Sequence, residues 1–105
     1  VKEIDACVQD MRNNFALTVL SSGALEIASK KFVSTCIARG HYRIDFNAPR
    51  KPHVMLAVVD NESAVPLIAN CVRRSERSIE YMVFDLKQKN RDATVCVTLR
   101  FDGAQ

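Results

Sequence analysis

The sequence predicts a single α+β domain in which two amphipathic helices cover a mostly antiparallel sheet, in the order α-β-β-β-β-β-α-β-β. Apolar residues recur at helical spacing in two stretches, residues 4–11 and 64–72. Between and after these stretches, short alternating or β-branched runs are separated by Ser, Gly, Asn and Pro. The chain is 105 residues long, 48% hydrophobic, with only three Gly and three Pro, which gives room for one core and no more. Successive strands joined by short turns pair antiparallel, because a parallel crossover takes about a dozen residues.

The first helix is read over Lys2–Asn13, with Ile4, Cys7, Val8 and Met11 on one face and Asn13-Asn14 at its C-terminus. Phe15–Leu20 and Ala24–Ser29 follow as a hairpin around Ser21-Ser22-Gly23, with the Gly where a short loop needs it. Phe32–Arg39 and His41–Phe46 form a second hairpin punctuated by Gly40; Tyr42, Ile44 and Phe46 alternate with Arg43 and Asp45. Residues 47–52 are a loop, since Pro49 and Pro52 each remove a backbone donor, and Val54–Val59 is the next strand. Ala64, Leu67, Ile68, Cys71 and Val72 then predict the second helix, with Ser63 as N-cap and Pro66 in the first turn. If that helix packs by this face, Ile68→Ala costs about 2–5 kcal/mol. Ile79–Leu86 and Ala93–Phe101 close the domain around the charged turn Lys87–Asp92.

Fifteen Lys and Arg against twelve Asp and Glu leave a formal charge of +3, which permits an acidic partner without requiring one. The cations fall in separate small groups, Lys30-Lys31, Arg50-Lys51, Arg73-Arg74 with Arg77, and Lys87, Lys89 and Arg91. Cys7, Cys36, Cys71 and Cys96 each sit inside an apolar stretch, so buried free thiols in a reducing, intracellular compartment, nuclear or cytoplasmic, are expected. Their spacing offers no C-x-x-C pair and no neighbouring His, hence no metal site. Asn61-Glu62-Ser63 matches a glycosylation sequon but reads as the start of the second helix. No apolar run approaches the roughly 18 residues of a transmembrane helix. The first residue is Val1 and no leader pattern follows, so the chain is read as a fragment of a longer one.

No phosphate-cradling Gly-rich loop, dinucleotide fingerprint, G-x-S-x-G or H-E-x-x-H pattern occurs, so neither cofactor, small-molecule substrate nor enzymatic activity is expected. Cys36 with His41 is the one nucleophile–base pair close in sequence, and a strand–turn–strand staggers it. Asp5 and Asp10 belong to a solvated helix face. Tyr42, Phe46, Tyr81, Phe84 and Phe101 are assigned to the core rather than to base stacking. Arg73-Arg74-Ser75 resembles a basophilic kinase site, with a chance match the preferred reading.

The first helix at Ile4–Met11, the strand–turn–strand Phe15–Ala28, the strand Phe32–Arg39 and the second helix Val65–Val72 together resemble one domain of the eukaryotic and archaeal sliding clamps and checkpoint clamp subunits. The resemblance spans nearly the whole chain at the level of element order. It implies a non-enzymatic scaffold in DNA replication or damage signalling, with helices facing duplex DNA through Lys2, Arg12, Arg73, Arg74 and Arg77 by phosphate contacts. The competing expectation is a protein–protein interaction or oligomerisation domain that binds a protein partner or its own copies. It would use a sheet edge or a groove beside the second helix, without nucleic acid. Membrane association is expected in neither case.

Overall fold

Residues 14–48, 50–59 and 66–101 are described by the computed structural model, and they form seven strands. These are β1 (Asn14–Val19), β2 (Val33–Ala38), β3 (His41–Asp45), β4 (His53–Val58), β5 (Leu67–Arg74), β6 (Ser78–Asp85) and β7 (Val95–Arg100). One sheet has the order β1-β7-β4 and the other β2-β3-β6-β5. Every pairing is antiparallel.

Period-two alternation builds the core. In the three-stranded sheet the inward rows are Phe15–Leu99–Val54, Leu17–Val97–Leu56 and Val19–Val95–Val58. The four-stranded sheet meets them with Ile44 opposite Ile79, Tyr42 opposite Tyr81, and Val83. These inner faces form a single hydrophobic cluster, so the two sheets pack as a sandwich. Burying each of the larger aliphatic side chains stabilises the fold by about 1.5–3 kcal/mol.

The α+β expectation is corrected: the domain is all-β, with no helix among the described residues. The first helix, Lys2–Asn13, lies outside them, as do Ser63 and the sequon. The second helix is overturned, because Leu67–Arg74 is strand β5. In eight residues either period finds an apolar face, Leu67, Ile68, Cys71 and Val72 as a helix or Leu67, Ala69 and Cys71 as a strand. Leu67, Ala69 and Cys71 point inward when extended, and Ile68, Asn70 and Val72 outward. Tertiary pairing decides. β5 and β6 form a tight hairpin in which the Ser75 hydroxyl accepts from the N–H groups of Arg77 (3.2 Å) and Ser78 (3.1 Å). That places β5 against β6 in register from Leu67↔Asp85 onward. The expected strand Ala24–Ser29 is also corrected. The chain does reverse at Ser21–Gly23, with Gly23 at φ 97°, and Glu26 donates to Thr18 O at 2.9 Å. Pairing then stops at the single bridge Val19↔Leu25.

Gly40 closes the β2–β3 hairpin with φ 66°, and its carbonyl accepts from Val83 N at 2.7 Å. A Cβ there would come within 2.6 Å of Val83 O and 2.8 Å of Arg91 N, so only glycine lets this turn lie against β6. At the same end of the sandwich, the Tyr42 hydroxyl reaches Ser21 O (2.9 Å) and Asp92 Oδ1 (3.1 Å). At the opposite end Phe15, Phe32, Phe46 and Phe101 form a chain of ring contacts 5.2–6.2 Å between centroids.

Candidate functional site

A Cys–His catalytic pair does not form. Cys36 stands opposite Tyr42 and Ala38 opposite His41, and residues 41 and 42 project to opposite faces of the sheet. The His41 ring is held by Glu80 (Nε2 to Oε1 2.9 Å), while the Cys36 thiol donates to Ala38 O at 3.2 Å. Desolvation, followed by the Asp92 carboxylate, raises the Cys36 thiol above its ordinary value, which is the wrong direction for a nucleophile. Burial likewise raises Cys71. The buried-thiol expectation is corrected for Cys36, which is exposed on an edge strand; Cys71 and Cys96 are half-buried, and Cys7 lies outside the described residues. No group of three or more metal-ligating side chains occurs among the described residues, and no helix there is long and apolar enough to cross a membrane.

Of the five residues expected to face DNA, Lys2 and Arg12 lie outside the described residues. Arg73 and Arg74 end β5, and Arg77 sits in the β5–β6 turn, so they are carried by a hairpin and not by a helix. A register shift between Cys71 and Arg73 sets their directions. This bulge turns Arg73 to the outer face opposite Glu80, 3.8 Å away, and leaves Arg74 beside Val54 at a groove between β5 and β4. The groove expected beside a helix is therefore one between two edge strands, lined by Val54, Cys71, Val72, Arg73 and Arg74.

Sequence reasoning missed how unlike the two outer faces are. On the four-stranded sheet, Arg43 pairs with Asp45 (3.2 Å) and Glu80 holds His41 and Arg73, as a solvated face does. On the three-stranded sheet the outward rows are Asn14–Arg100–His53 at one end, then Ala16–Thr98–Met55 and Thr18–Cys96–Ala57, and these last two carry no charge. Met55 is 71% exposed, and Val59 beyond it 58%. The signal was legible in part: β1, β4 and β7 contain one Lys or Arg, Arg100, and no Asp or Glu. Strands covered on both faces read this way.

Comparison with protein-family models, with curated proteins and with solved structures gave no match.

Proposed function

We propose that this domain is a non-enzymatic association module that packs the outer face of the β1-β7-β4 sheet against a protein surface, a second copy of itself being the partner of first choice. The observation that carries the reading is the uncharged outer rows Ala16–Thr98–Met55 and Thr18–Cys96–Ala57. Small and methyl-bearing side chains make this face flat enough to meet another sheet about 10 Å away, and Met55 adapts its shape to the partner. Two adjoining rows without a charge set no like charges against each other when a two-fold axis brings the same face of a second copy over them. The sliding-clamp resemblance agrees with the non-enzymatic scaffold character, although the helix-lined DNA surface it implied at Leu67–Arg74 is replaced by strand β5.

Sedimentation of the chain over a range of concentrations, beside the variant Met55→Glu, tests this. Because Met55 is exposed, a glutamate there is tolerated by the single copy but sets like charges against each other in the pair. The expected result is concentration-dependent self-association that Met55→Glu abolishes while its circular dichroism spectrum stays that of the wild type. A wild type that stays monomeric throughout, or association indifferent to the substitution, overturns the reading.

A further inference from the structure

Cations gather at the end of the sandwich where the four phenylalanines lie. Two backbone hydrogen bonds join the β3–β4 connection to the β5–β6 turn there: Phe46 N donates to Arg77 O (2.8 Å) and Ala48 N to Glu76 O (3.1 Å). The same connection reaches Val54 beside Arg73 and Arg74, so Arg50 and Lys51 cross the gap between these two anchor points. Lys31 adds a cation to this end, its Nζ lying 5.3 Å from the Phe15 ring centroid. Arg50, Lys51, Arg74 and Arg77 have no ion-pair partner among the described residues, whereas Arg73 shares Glu80 with His41. Self-repulsion makes such a cluster unhelpful to an isolated fold. Guanidinium groups suit bidentate contact with phosphate oxygens.

We propose that this end, through Arg50, Lys51, Arg74 and Arg77, is a sequence-blind binding site for the phosphate backbone of nucleic acid. The contacts are to phosphates and not to bases, because the cluster is carried by two connections and the last residue of β5, and no helix among the described residues is there to enter a groove. The site is separate from the outer face of the β1-β7-β4 sheet, so either proposal can stand without the other.

Fluorescence anisotropy of a 20-base-pair duplex with the whole chain, at several salt concentrations, tests it. Four phosphate contacts predict a slope of log affinity against log salt of about −3.6. Arg74→Ala with Arg77→Ala lowers the magnitude of that slope by about two. Lys87→Ala with Lys89→Ala, at the opposite end of the sandwich, leaves it unchanged. No binding at low salt overturns the proposal, as does a slope unmoved by the arginine pair or lowered equally by the lysine pair. Polyglutamate displacing the duplex at equal charge concentration would also overturn it, because the site would then recognise charge alone. Circular dichroism of both variants separates lost contacts from lost folding.

Discussion

Tyr42 and Tyr81 stack across β3 and β6 with ring centroids 5.2 Å apart and planes inclined by 24°, and they differ in what their hydroxyls meet. Tyr42 reaches Ser21 O and Asp92 Oδ1. The Tyr81 hydroxyl is buried without a hydrogen-bond partner among the described residues. The pair divides the two physical contributions of a buried tyrosine, apolar ring area and polar handle, between two sites in contact.

Phenylalanine substitution separates those contributions. Tyr81→Phe keeps the ring and removes an unsatisfied hydroxyl, so stability stays equal or rises by about 1 kcal/mol. Tyr42→Phe removes a made hydrogen bond and costs about 0.5–1.5 kcal/mol. Urea unfolding of both variants checks the order; a Tyr81→Phe less stable than Tyr42→Phe contradicts it.

High pH acts on the same pair. Burial is the main cause raising both phenols above their ordinary value, seconded by the Asp92 carboxylate at Tyr42 and by Tyr42 itself at Tyr81. A phenol ionises near pH 10 in the unfolded chain but stays protonated in the folded one. The unfolded state therefore sheds its protons first. The contribution of these two groups to stability is intact below about pH 10 and is lost as pH rises beyond it. Tyrosinate absorbance should accordingly appear together with loss of tertiary structure. Two phenols that titrate near pH 10 while the fold persists would mean that the stack is open to solvent.

A third comparison bears on β5. A helix packed by its apolar face would make Ile68→Ala cost about 2–5 kcal/mol. In the sandwich Ile68 is 44% exposed on the outer face opposite Phe84, so its truncation costs less than about 1 kcal/mol. Leu99, fully buried between Phe15 and Val54, carries the larger cost of about 2–5 kcal/mol on Leu99→Ala. Thermal unfolding of the two variants reads the difference directly, and equal losses would return Ile68 to the core.

Six of the seven strands are legible from local pattern to within a residue or two, because alternation in β3 and β7 and turn chemistry at Gly40 and Ser21–Gly23 act over a few residues. The arginines of β5 are visible in the sequence as a group. Their meeting with Arg50 and Lys51 is not, since it depends on Phe46 and Ala48 bonding to a turn some thirty residues away. The bulge that turns Arg73 outward is equally silent in the sequence.

By itself, then, the sequence determined that one core forms, where most strands run and which side chains alternate, since these follow from period, turn residues and apolar content. Tertiary structure alone decided that Leu67–Arg74 is extended, that the strands divide between two sheets, and that one outer face carries two uncharged rows while one end is cationic. A short apolar segment compatible with both periods takes the conformation in which its backbone finds a partner, and for β5 that partner is β6, reached through the turn at Ser75–Ser78.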